Sequence, residues 1–174
     1  MSDPKSNVFE LNLKVTQMES QIKEVLEYRG KAYAMACEPL DQYFSQLNPP
    51  LRFYPKFKNN ARGYLGKWAI LENELHLIDF IGVLENKHEL FLDGLFPGEQ
   101  TVFARWFNGT ILLNYGKLLA LKNRYRPALY EKDLHLEIAN GYLINSHVVE
   151  NKCDTTNDFY DNLRPGKEER LVWK

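Results

Sequence analysis

The residues best placed to do chemistry are the four histidines, and all four fall inside one internal match. ENELHLIDFIGVLENKHEL (72–90) set above EKDLHLEIANGYLINSHVV (131–149) coincides at eight of nineteen positions, with an offset of 59. His76 meets His135 and His88 meets His147, while Gly82 meets Gly141. Read physically, each segment is a strand, a turn at the glycine and a return strand, used twice. Side chains alternate across a strand, so Leu75, Leu77, Leu134 and Leu136 would face a core and His76 and His135 the other way. His76 and His88 each lie six residues from Gly82. A three-residue turn centred there would make their imidazoles cross-strand neighbours.

Two adjacent imidazoles are a start towards a transition-metal site, so His76, His88, His135 and His147 are the candidate ligands. Glu74, Glu89 and Asp133 are the nearest carboxylates in sequence. The competing reading is that histidine, like any polar residue, takes the wet face of a half-buried strand. A slip of one residue in register would separate either pair, and no HExxH or Cys–His zinc spacing is present. No other cofactor is expected.

A second constellation is basic and aromatic. RFYPKFKNNARGYLGKW (52–68) carries Arg52, Lys56, Lys58, Arg62 and Lys67 without an acid, and KNRYRP (122–127) sets Lys122, Arg124 and Arg126 around Tyr125. Cations interleaved with rings can grip a nucleic-acid strand, and tyrosine and arginine are equally the usual anchors of protein interfaces. The formal net charge of −1 and pI near 6.4 provide no global field for polyanions. Another protein is therefore the expected partner, and nucleic acid the lesser one. Trp68 and Trp106 could serve a glycan-binding sheet, but a buried aromatic layer is the commoner cause of such spacing.

Familiar catalytic patterns are lacking: no G-x-S-x-G elbow, P-loop or dinucleotide glycine set occurs. Asp79 and Asp93 sit in apolar runs, where each is either a raised-pKa acid or a solvent-facing strand end. Cys37 reads as packing, and with Cys153 it reads as one of two free thiols.

The elements that must position these residues are mostly strands. Residues 64–71, 75–81, 90–96, 102–107, 110–114, 117–121, 129–138 and 142–149 are each rich in branched and aromatic side chains. Pro97-Gly98-Glu99, Asn108-Gly109, Tyr115-Gly116 and Asn140-Gly141 read as the turns between them. Connections this short leave no room for crossovers, which predicts an antiparallel meander. Earlier in the chain, the spacing of Val15, Met18, Ile22, Val25 and Leu26, with Thr16 and Glu19 as a capping box, predicts a helix over 17–27. A hairpin about Arg29-Gly30 competes with it. Glu38-Pro39-Leu40 opens a short helix through Gln46, ended by Asn48-Pro49-Pro50.

With 174 residues, 44% hydrophobic and 26% charged, the chain is long enough for one well-packed domain. Tails are expected at 1–8 and about 151–174. No run of 18 apolar residues and no leader pattern is seen, so a cytoplasmic, membrane-free location is expected. YRGKAYAMACEPLDQYF (28–44), RGYLGKWAILENELHLIDF (62–80) and ARWFNGTILLNYGKLL (104–119) resemble a small family of bacterial cytosolic β-rich proteins with no assigned activity. That resemblance covers about two thirds of the chain and implies a bacterial accessory protein without naming functional residues. The expectation is thus a mainly β domain with a duplicated hairpin and a small N-terminal helical or hairpin element. Its expected role is non-enzymatic: a protein-interaction module such as an inhibitor or immunity-type partner.

Overall fold

The computed structural model describes residues 21–55, 58–121 and 128–152. They form a mainly β structure: β1 (Val25–Tyr28), β2 (Lys31–Ala34), helix α1 (Pro39–Phe44), β3 (Tyr64–Leu71), β4 (Glu74–Val83), β5 (Glu89–Phe91), helix α2 (Leu92–Leu95), β6 (Val102–Phe103), β7 (Gly109–Ala120), β8 (Leu129–Ala139) and β9 (Tyr142–Glu150). One nine-stranded sheet holds them in the order β2-β1-β3-β4-β9-β8-β7, with β5 and β6 both paired to β4. The outermost strands come back together through an antiparallel bridge between Met35, just after β2, and Leu113 of β7. The sheet therefore rolls on itself around a core led by Trp68, Phe80, Leu26, Leu75, Leu77, Ile111 and Leu136, each at most 1% exposed.

Two features depart from a meander. β1 runs parallel to β3, with Leu26 opposite Trp68. The long stretch through α1, residues 35–63, supplies the crossover that a parallel neighbour requires. β4 and β9 are also neighbours although they are remote in sequence.

The N-terminal helix expected over 17–27 is corrected within the described residues. Residues 25–34 form the rival hairpin, turning at Arg29 and Gly30, whose φ of 50° and 73° make the left-handed pair of a tight hairpin turn. Here Glu24, Leu26 and Tyr28 are buried, a period of two. A glutamate on the buried face breaks the apolar alternation, so the helical spacing of Ile22, Val25 and Leu26 stands out instead. Residues 17–20, with Thr16 and Glu19, lie outside the described residues.

Three further boundaries differ. Residues 110–114 and 117–121 are one strand, β7, because Gly116 (φ 85°) sits at a register irregularity in the strand and not at a turn. The strand expected over 90–96 stops at Phe91 and passes into α2, where Asp93 accepts a hydrogen bond from Gly98 N (2.9 Å). Only Val102 and Phe103 of the 102–107 run are strand. By contrast β3, its turn at Glu72 and Asn73 (φ 50° and 66°) and β4 follow the sequence pattern closely. So does α1, opened by Pro39, whose missing N–H costs nothing in a first helical turn. α1 packs Tyr43 against Phe96 and Trp106 and Phe44 against Phe53 and Tyr64, with ring centroids 4.8–5.1 Å apart.

Candidate functional site

Two polar places in this sheet differ from ordinary surface. The first lies where β1 meets β3. Glu24 is 1% exposed, and its Oε2 accepts a hydrogen bond from Trp68 Nε1 at 2.6 Å. Gly66 makes room for that contact: a Cβ there would lie 2.8 Å from Trp68 Nε1 and 3.1 Å from Glu24 Oε2. The other carboxylate oxygen, Oε1, is buried with no hydrogen-bond partner among the described residues. Burial pushes the Glu24 carboxyl up to about 7, against the pull of the Trp68 bond and the Arg62 charge.

Around it, Arg62 forms an ion pair with Glu38 and donates from Nη2 to Ile22 O (3.0 Å), while the Tyr64 hydroxyl donates to Asp41. Burial also pushes the Cys37 thiol up to about 12 and raises the Tyr64 phenol, so both hold their protons at neutral pH. A protonated thiol is a poor nucleophile, which leaves Cys37 as packing. Glu24 could hold or release a proton near neutrality, yet acid–base catalysis also needs reach to a reacting atom. The neighbouring cleft of about 290 Å³ is walled by residues such as Lys23, Val25, Gly66, Lys67 and Asp79, and Glu24 is not among them. The geometry gives Glu24 a structural role, as an interior acid bound to the largest core side chain.

The second place is the β8–β9 ladder. Its turn, Asn140-Gly141 (φ 49° and 82°), sets Ala139 opposite Tyr142 and Ile138 opposite Leu143. A register shift between Glu137 and Ile138 then inserts Ile144 as an extra residue, and from there His135 stands opposite His147. The two rings are stacked, 4.8 Å between centroids and 11° between planes. His147 Nδ1 lies 3.7 Å from Glu137 Oε1, which also accepts from Asn145 Nδ2 at 3.2 Å. Asp133, on the same face, is held by Asn114 Nδ2 (2.6 Å) and Asn151 Nδ2 (2.8 Å).

Among the described residues the far edge of β9 is unpaired for most of its length. Contact with β4 is confined to the register pair Glu74–Tyr142, flanked by Leu75 N to Gly141 O and Leu143 N to Asn73 O (both 2.8 Å). Beyond that point β4 is paired with β6 and β5. Among the described residues no strand pairs with the outer edge of β9 from Ile144 onwards. Ile144 is 64% exposed and Val148 48%.

The structure divides the histidines. The first hairpin does not turn at Gly82, which sits within β4 opposite Leu90 and Tyr64; its turn comes later, where Leu84 N bonds His88 O. Gly82 does not take the positive φ that Gly141 does, and within the strand its missing side chain leaves space for Phe53 and Phe80. His76 therefore faces Phe103 of β6 and not His88, with its Nε2 3.0 Å from Glu74 Oε2. His88 is exposed in the turn. The matched segments consequently do not build the same hairpin twice. Among the described residues no group of three or more His, Cys, Asp or Glu side chains converges as a metal-ligand set.

Of the basic–aromatic candidates, Arg52 is exposed near Glu85 (4.0 Å) and Lys58 lies exposed in a turn. Arg62 is turned inward to Glu38, where an interface cation cannot be offered to a partner. Lys56, Lys122, Arg124, Tyr125 and Arg126 lie outside the described residues. Trp68 is core, and Trp106 is half-buried with Nε1 donating to Pro39 O (3.0 Å). Asp79 is exposed on β4. Glu24 and the open β9 edge are features that sequence reasoning missed. The first left only a glutamate two residues before a buried leucine as its signal, and the second left none, because an edge is defined by which strands are neighbours.

No protein-family model, curated protein or solved structure matches the chain. Among the described residues no helix is long and apolar enough to cross a membrane.

Proposed function

We propose that the protein is a protein-binding module that accepts an extended segment of another protein as an additional strand on β9. The observation that carries this reading is the β9 edge, unpaired from Ile144 onwards among the described residues and bearing exposed Ile144 and Val148. An open row of backbone donors and acceptors is a template for strand addition, and the exposed Ile144 and Val148 side chains give the added strand something to bury. Charge narrows the partner. β8 and β9 carry Glu131, Asp133, Glu137 and Glu150 against a single ammonium, Lys132. The segment that fits is extended, with apolar residues alternating and lysine or arginine beside them.

The test starts with a photo-crosslinking residue at 144 or 148, used in the protein's own cells to identify the partner. Binding to the purified partner is then measured by calorimetry. Ile144→Lys and Val148→Lys should each weaken it at least tenfold, while Leu121→Lys, at an exposed position just past β7, should leave it intact. Crosslinks only between copies of this chain, or affinity indifferent to both β9 variants, would overturn the reading.

A further inference from the structure

We infer that His135 and His147 form a two-imidazole site for a divalent transition-metal ion of the copper, nickel and zinc class. The inference is independent of strand addition at β9, and it keeps one pair of the four histidines.

Register brings the pair together. From the tight turn at Asn140-Gly141, an unbroken ladder would set His135 opposite Ser146 and send His147 to the other face of the sheet. The extra residue at Ile144 shifts the ladder by one and sets the imidazoles side by side. Bulges of this kind re-aim side chains next to sites. The bulge also has a visible cost: the inserted isoleucine is left 64% exposed.

Ring orientation and neighbouring charge suit a metal ion. Near-parallel rings 4.8 Å apart can turn one nitrogen each towards a shared point, and a small side-chain rotation then meets the ~2.0–2.1 Å that zinc-class ions require. Glu137 faces Nδ1 of His147, which leaves Nε2 as the ligating atom. At 3.7 Å Glu137 is beyond hydrogen-bond length from Nδ1, and a small closing movement would let it accept from that nitrogen, as carboxylates behind ligating histidines do. Asp133 adds negative potential on the same face but is held by two asparagine amides. Remaining coordination positions fall to water, since no third ligand converges among the described residues. Two nitrogen donors suit copper, nickel and zinc, and offer little to magnesium or calcium, which take oxygen.

The experiment uses the full chain without a polyhistidine tag. Copper(II), nickel(II), zinc(II) and magnesium(II) are titrated by calorimetry, with melting temperature followed in parallel. The expected result is one ion per chain, affinity falling from copper to nickel or zinc, no response to magnesium, and a melting temperature raised by the three binders because the ion ties β8 to β9. His135→Ala and His147→Ala should each weaken binding at least tenfold. His147→Phe, which keeps a ring in the stack without a ligating nitrogen, should do the same with the fold retained. His76→Ala and His88→Ala should change nothing. Absence of saturable binding, or affinity unaltered by His147→Phe, would overturn the site.

Discussion

The β3–β4 and β8–β9 hairpins are built with the same devices and end as opposites. Each turns through two left-handed residues, Glu72-Asn73 in one and Asn140-Gly141 in the other, and each carries one register shift, between Lys67 and Trp68 and between Glu137 and Ile138. In the first, the shift changes the phase of β4, so that Leu75, Leu77 and Phe80 all point inward beside Trp68. In the second, it sets His147 beside His135 on an outer face and leaves Ile144 in solvent. Local geometry does not explain the difference; neighbours do. β3 is paired with β1 over Lys67–Ala69, where Trp68 sits, and β4 with β6, β5 and the root of β9, whereas among the described residues β9 has β8 on one side and only the root of β4 on the other. A bulge is a way of aiming side chains, and the surrounding strands decide whether the target is core or surface.

The largest effect that can test this contrast is removal of the core ring. Trp68→Ala should cost about 4 kcal/mol in urea unfolding, because it opens a cavity and also strips the buried Glu24 of its donor. If it cost no more than a surface change, the closed hairpin would not be the closed one.

Next comes the pH response of the same region. Glu24 in the folded protein is raised to about 7 from a usual value of 4.5 by burial, so between those values the folded state holds a proton that the unfolded chain has released. Its contribution is complete below about 4.5, falls as pH rises, and is lost above about 7, amounting to roughly 3 kcal/mol. Glu24→Gln should flatten that slope while keeping an acceptor for Trp68. An unchanged pH profile would show that the carboxyl is solvated.

A smaller effect separates the root of the open ladder from its length. Gly141→Ala should cost about 2 kcal/mol or more: at φ 82° a Cβ is strained, and it would lie 2.6 Å from the Phe103 ring and 2.7 Å from Ala104 O. Gly30→Ala, at φ 73° with nothing within 4 Å, should cost only about 1 kcal/mol. Equal losses would mean the β9 root is not clamped. Smallest of all, Ile144→Lys and Val148→Lys should shift stability by no more than about 0.5 kcal/mol, while still weakening partner binding at least tenfold. A large loss of stability would show that those side chains are covered.

The sequence by itself determined the mainly β composition, the strand at 64–71, the turn at Asn140-Gly141, the helix opened by Pro39 and the placement of Trp68 in the core. These are legible because turn chemistry and side-chain alternation act between residues a few positions apart. Gly82 and Gly141 look alike in sequence and are not alike in space, since the first lies inside β4 and the second in the tight turn between β8 and β9 at φ 82°. Residues 25–34 settled as a hairpin because Leu26 found Trp68 across a parallel ladder. The burial of Glu24 and the edge of β9 left unpaired among the described residues were likewise decided by the tertiary structure. Each depends on contacts between residues far apart in the chain, such as Met35 with Leu113 and Glu74 with Tyr142, and no local pattern encodes which distant strand will arrive beside another.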